Sequence, residues 1–129
     1  MTRGACWPRL GLAATVLLAS ALLAGPAAEA HAVLVRSSPP HRAVLAQAPE
    51  RVELWFNERL EPAYSTASVW SEAGSQVDAH DVTVTTDDPR RLSVSLTTRA
   101  AGLYTVKYRV LSVDGHTVKA SYTFTVKGP

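Results

Sequence analysis

Leu103-Tyr104-Thr105-Val106-Lys107-Tyr108-Arg109-Val110 is the longest alternating stretch in the chain, and a period of two marks a β-strand with one buried face. The pattern returns in Val118 to Val126, where Tyr122, Phe124 and Val126 occupy alternate positions. Working outward, Val52, Leu54 and Phe56 alternate with Glu53 and Trp55, after Pro49. Thr66 to Ser71 is a further run, closed by the turn residues Ala73-Gly74-Ser75. Asp81 to Thr85 and Leu92 to Leu96 flank the polar turn Asp87-Asp88-Pro89. Ala32-Val33-Leu34-Val35 reads as a short first strand stopped by Ser37-Ser38-Pro39-Pro40. Helical periodicity is hard to find beyond residue 30. About seven short strands in roughly a hundred residues predict an all-β fold, an immunoglobulin-like Greek-key β-sandwich. A small closed barrel is the competing architecture. So small a domain has a limited core, and Trp55, Phe56, Trp70, Tyr104, Tyr108, Tyr122 and Phe124 are expected to supply much of it.

The 129 residues are 47% hydrophobic and 19% charged, but part of that apolarity is not core. Arg3 and Arg9 precede a nearly unbroken Leu, Ala and Val run from Leu10 to Leu23, and Ala28-Glu29-Ala30 follows as a small-x-small triplet. This order is that of a cleavable secretory signal over residues 1–30, leaving residues 31–129 as the mature domain. A transmembrane anchor fits less well: the run is shorter than the ~20 residues a spanning helix needs, and Gly25-Pro26 breaks it. The first 30 residues hold two of the 13 Lys and Arg and one of the 11 Asp and Glu, so the remainder carries a formal charge of +1. Such a near-neutral balance argues against a nucleic-acid binder, which needs a basic stripe. The one Cys is Cys6 and the one Met is Met1, so residues 31–129 contain no sulfur and no disulfide. The expected product is a soluble monomer in the periplasm or another extracytoplasmic space.

Cleavage after Ala30 makes His31 the first residue, with a free α-amine beside its imidazole. The two groups can grip one metal ion as a chelate, because an amine with a pKa near ~8 gives up its proton to a metal at neutral pH. Asp114-Gly115-His116 follows the long strand. Asp-Gly is a favoured two-residue hairpin connection, and a turn there presents Asp114 and His116 at the end of the sandwich. Two imidazoles, an amine and a carboxylate form an N3O donor set that suits Cu(II) better than calcium or magnesium. Zinc accepts the same ligands.

The chain resembles the CopC family of exported copper-resistance proteins over nearly all of residues 31–126. The likeness lies in His31, Leu34-Val35 and Ser37-Ser38-Pro39-Pro40, then in Leu54-Trp55-Phe56-Asn57-Glu58 and Gly102-Leu103-Tyr104-Thr105-Val106. It continues through Tyr108-Arg109-Val110-Leu111-Ser112-Val113-Asp114-Gly115-His116 and Tyr122-Thr123-Phe124-Thr125-Val126. The resemblance implies a copper-binding β-sandwich, one Cu(II) per mature chain, with ligands at His31, Asp114 and His116. It implies for Glu58 an acidic position near the metal, supporting rather than ligating. It also implies a CopD-type membrane partner that receives copper. The family often carries Trp where this chain has Tyr108 and Pro where it has Thr117. Some relatives bind Cu(I) through a Met-rich loop, for which this chain lacks the thioethers.

The leading function is therefore an exported copper carrier, not an enzyme. A copper-dependent oxidative enzyme of the polysaccharide monooxygenase kind also uses an N-terminal His, its amine and a second His. Such chemistry needs an open coordination position that Asp114 would fill. A metal-free immunoglobulin-like interaction module accounts for the strands but not for His31 at the cleavage point. His41, after Pro39-Pro40, and His80, between Asp78 and Asp81, are expected to be solvated loop residues. The Asp78/His80/Asp81 cluster is at most a weak adventitious ion site.

Overall fold

The computed structural model describes residues 32–128, together with Gly4; the expected cleavage point after Ala30 and the expected ligand His31 lie outside the described residues. Eight strands are present among them: β1 (Leu34–Ser38), β2 (Val44–Leu45), β3 (Arg51–Phe56), β4 (Thr66–Ser71), β5 (Thr83–Val84), β6 (Arg91–Ser95), β7 (Gly102–Leu111) and β8 (Thr117–Val126). They form two four-stranded sheets, ordered β1-β3-β6-β5 and β2-β8-β7-β4. Only β5–β6 and β7–β8 are both consecutive and paired, so the chain repeatedly crosses from one sheet to the other, as a sandwich requires.

Alternation in sequence becomes alternation across each sheet. Val52, Leu54 and Phe56 of β3 face Leu92 and Val94 of β6 on the inner side of one sheet, all buried. Ala67 and Val69 of β4, Tyr104, Val106 and Val110 of β7, and Tyr122, Phe124 and Val126 of β8 line the inner side of the other. The Tyr104 and Phe124 rings, opposite one another in register, stack with centroids 5.2 Å apart. Phe56 meets Tyr108 edge-on at 5.5 Å.

Two expectations need correction, and one short strand joins the expected seven or so: β2, too short to carry a period. It exists through its parallel pairing with Thr125 and Val126 of β8. The first strand runs through Ser37 and Ser38 instead of stopping before them: these serines pair with Leu54 and Glu53, and ladder bonds to β3 override their turn preference. A register shift between Leu34 and Arg36 marks a bulge in this edge strand. Finally, Trp55 and Trp70 are only half-buried, whereas Tyr108, also half-buried, packs against the core as expected. Trp55 lies between the inward Leu54 and Phe56, and Trp70 follows the inward Val69, so period two turns both indoles outward. The Arg36 guanidinium sits 3.8 Å from the centre of the Trp55 ring, a cation–π cover over an otherwise wet aromatic.

The inward/outward division has a measurable consequence. Phe124→Ala should cost about 3–5 kcal/mol, the usual range for emptying a buried aromatic site. Urea denaturation should show this as a lower midpoint with an unchanged slope. Trp55→Ala should cost clearly less; equal losses would mean that the indole carries core packing.

Candidate metal centre

β7 and β8 pair continuously from Gly102↔Val126 to Leu111↔Thr117, so the ten-rung ladder ends in a five-residue connection, Ser112 to His116. This is not the two-residue Asp-Gly turn expected from sequence. The Gly115 N–H donates to the Ser112 carbonyl at 2.9 Å, and the Ser112 N–H donates to the His116 carbonyl at 3.0 Å. Gly115 has φ +95°, whereas Asp114 is not among the positive-φ residues. A two-residue type I′ turn needs positive φ at both central residues. The chain forms a three-residue loop closed by a glycine bulge, in which Gly115 supplies the left-handed conformation.

Ser112 organises this loop. It is buried, and its hydroxyl donates to Asp114 Oδ1 while lying 3.2 Å from the His116 carbonyl oxygen. The same carboxylate oxygen accepts the His116 backbone N–H at 3.2 Å and faces His116 Nδ1 at 3.2 Å. The Ser112 hydroxyl, aided by the His116 amide and ring, holds the Asp114 carboxyl below its usual range against a smaller opposing effect of desolvation. Both side chains remain partly open to solvent. A carboxylate facing the Nδ1 of an imidazole orients the ring, as Asp114 Oδ1 does for His116.

One segment fastens this turn to the start of the described chain. The Val113 N–H donates to the Arg59 carbonyl at 3.0 Å, the Glu61 N–H donates to the Leu111 carbonyl at 2.8 Å, and Leu60 forms a bridge with Ser112. Two residues before Arg59, the Asn57 side-chain oxygen accepts the Val33 N–H at 2.6 Å, and the Asn57 N–H donates to the Val33 carbonyl at 3.0 Å. Val33 and Val113 thus hang from residues two apart, a separation of about 7 Å of extended chain. Glu58 lies between these two attachment points and is half-buried. It does not join Asp114 and His116 in a donor cluster: among the described residues no three His, Cys, Asp or Glu side chains converge to hold a metal. Asp114 and His116 come together as expected, and the third expected ligand, His31, lies outside the described residues. Ser112 and Asn57 are the site residues that sequence reasoning passed over. The Ser-x-Asp-x-His spacing was the available signal for the first; Asn57 offered none.

The remaining histidines are loop residues. His80 is exposed, with φ 55°. Its neighbour Asp78 is buried and fully engaged: Oδ2 accepts the Val69 N–H at 2.9 Å and the Gln76 amide at 3.0 Å, and Oδ1 accepts the His80 N–H at 3.0 Å. Asp81 accepts the Ser95 N–H at 2.8 Å, so this cluster staples strands. His41 is exposed and meets the Tyr122 ring edge-on at 6.2 Å.

Because the folded-state pKa of Asp114 is depressed, the carboxylate adds stability above its unfolded value, near 3.8, and loses that contribution as pH falls through the lower folded value. Ser112→Ala should raise the Asp114 pKa and flatten this acid-side dependence in the metal-free protein. Carbon-13 carboxyl titration by NMR reads the shift directly; an unmoved Asp114 would show that the hydroxyl does not govern it.

Residues 34–127 match the CopC domain. Copper resistance protein C of Xanthomonas campestris pv. juglandis is 35% identical over 131 residues, covering 90% of this chain and 95% of the relative. Protein YobA of Escherichia coli K12 is 34% identical over 106 residues, covering 81% of this chain and 86% of the relative. The crystal structure of CopC from Methylosinus trichosporium OB3b superposes with a TM-score of 0.71 at 40% identity, over 76% of this chain and 95% of that one. PcoC, a methionine-rich copper resistance protein from Escherichia coli, superposes with a TM-score of 0.66 at 33% identity, over 76% of this chain and all of PcoC. The matched domain spans every strand from β1 to β8, and the chain belongs to the CopC family.

Proposed function

We propose that the chain is an exported copper carrier that binds one Cu(II) at the β7–β8 end of the sandwich. Removal of residues 1–30 leaves the domain 31–129 with His31 at its head. The His31 amine and imidazole, Asp114 and His116 then hold the ion, and Glu58 supports the site without ligating. The observation that carries this reading is the shared attachment of Val33 and Val113 to the Asn57–Arg59 segment, because His31 precedes Val33 by two residues. Copper resistance relatives and the copper transport protein CutJ of Bacillus subtilis, 31% identical over 75% of this chain and 18% of that protein, support copper as the cargo.

Nitrogen and carboxylate donors favour the 2+ ion, and the Ser112 hydroxyl and the His116 amide hold the Asp114 carboxylate in place. PcoC is described as methionine-rich, whereas this chain has one Met, at position 1, and one Cys, at position 6. Reduction to Cu(I) therefore loosens the ion and sends it towards a receiver richer in sulfur, such as a CopD-type membrane protein. Among the described residues no helix is long and apolar enough to cross a membrane. With Asp114 filling a coordination position, the site carries copper rather than activating oxygen on it, and it works in an extracytoplasmic space as a monomer.

His116→Ala should weaken Cu(II) binding by orders of magnitude and change the spin-resonance spectrum. One added residue before His31 should leave the fold intact, by circular dichroism, yet abolish most of the affinity, because an amide replaces the amine. Unaltered affinity in either protein would remove that donor from the site.

A second expectation concerns oxidation state. Competition titrations, anaerobic for the reduced ion, should give a Cu(II) affinity well above that for Cu(I). Comparable affinities would rule out release by reduction.

A further inference from the structure

The outer face of the β2-β8-β7-β4 sheet carries a charge pattern that copper binding does not use. Across β4, β7 and β8, Thr66, Arg109 and Lys119 form one row in register, and Ser68, Lys107 and Ser121 form the next. These six residues line a shallow depression of about 400 Å³. The three strands contain three cations and no carboxylate. Lys107 lies 5.1 Å from the centre of the Trp70 ring, and the Trp70 indole N–H donates to Ser68 Oγ at 2.8 Å, which fixes a flat aromatic floor under the ammonium. Arg109 and Lys119 stand directly opposite one another, and among the described residues neither has an ion-pair partner. Like charges in opposed positions destabilise a sheet. The chain therefore keeps an arrangement that costs it stability and that an external anion would relieve.

We propose that this face is the docking surface for an acidic segment of a partner protein. Three cations beside three hydroxyls suit carboxylates presented by a peptide: the cations attract and steer, and the hydroxyls can donate. A lipid surface is a poorer fit, because basic patches that hold anionic membranes gather about four to eight Lys and Arg, and no apolar side chain lines this depression for insertion apart from Tyr108 and Ala120. The position gives the surface a purpose. The Arg109–Lys119 rung is two rungs from Leu111↔Thr117, the last pair before the Ser112–His116 turn. A partner docked here lies within about 7 Å, along the strands, of the turn bearing Asp114 and His116. That this partner is the copper receiver rests on the carrier reading; the docking itself does not.

The test titrates the nitrogen-15-labelled, copper-free chain with a hexaglutamate peptide at low salt. Saturable amide shifts should be confined to residues 66–70, 105–109 and 119–123, and should weaken as salt screens the charges. The triple variant K107Q/R109Q/K119Q should bind the peptide about tenfold or more weakly. Lys119→Glu, which places a carboxylate opposite Arg109, should melt no lower than the parent and also bind more weakly, separating lost docking from lost folding. Copper affinity should be equal in all three proteins; because docking is read without copper, failure of the carrier reading would leave this result standing. Shifts scattered over Arg36, Arg42 and Arg51, or equal peptide affinity in the variants, would overturn the proposal. So would binding to anionic phosphatidylglycerol vesicles with no response to the peptide.

Discussion

The reciprocal hydrogen bonds between Val33 and Asn57 are the constraint on which the candidate site depends. They fasten the start of the described chain to the segment leaving β3, and that segment, through Arg59, Leu60 and Glu61, also grips the β7–β8 hairpin. A short stretch of backbone thus couples one edge of the first sheet to the longest ladder of the second. Ala32 and Leu60 are both buried at this end, so apolar packing backs the polar clasp. The clasp adds direct hydrogen bonds between an amino end and a turn that belong to separate sheets, beyond the packing of the shared core.

The turn itself shows how a small β-protein prepares a polar site. Ser112 is buried at the root of the loop, yet its hydroxyl is satisfied by the carboxylate of Asp114, so no desolvated donor is left unpaired. The same bond lowers the carboxyl pKa, and the His116 ring faces the same oxygen at 3.2 Å. Three functions, namely loop closure, charge state and ring orientation, rest on one oxygen atom. The long ladder beneath makes the geometry rigid, because ten paired residues hold each side of the loop.

The outer surfaces of the two sheets are treated alike in one respect. Each presents a tryptophan covered by a cation: Trp55 by Arg36 and Trp70 by Lys107. On the first sheet the nearby charges are mixed, and Arg91 pairs with Glu53 at 3.8 Å. On the second they are all positive across β4, β7 and β8. The contrast separates a neutralised face from one that retains uncompensated charge near the Ser112–His116 turn.

The alternating pattern of Leu103–Val110 and Val118–Val126 by itself determined the two long strands, their inward residues and the all-β class, because side-chain direction in a strand is a local property with period two. The same pattern already placed Trp55 and Trp70 on outward positions, although their size argued for the core. Asp114 and His116 were legible as neighbours because a single residue, Gly115, separates them in one loop. Tertiary structure alone decided the rest. β2 exists only where β8 accepts it, Ser37 and Ser38 extend β1 only because β3 offers a ladder, and Gly115 closes a bulge rather than a two-residue turn because the rungs end at Leu111↔Thr117. The joining of Val33 to Asn57 and of Arg59 to Val113 links residues far apart in the chain, and no local pattern can specify hydrogen bonds that exist only once both sheets have packed.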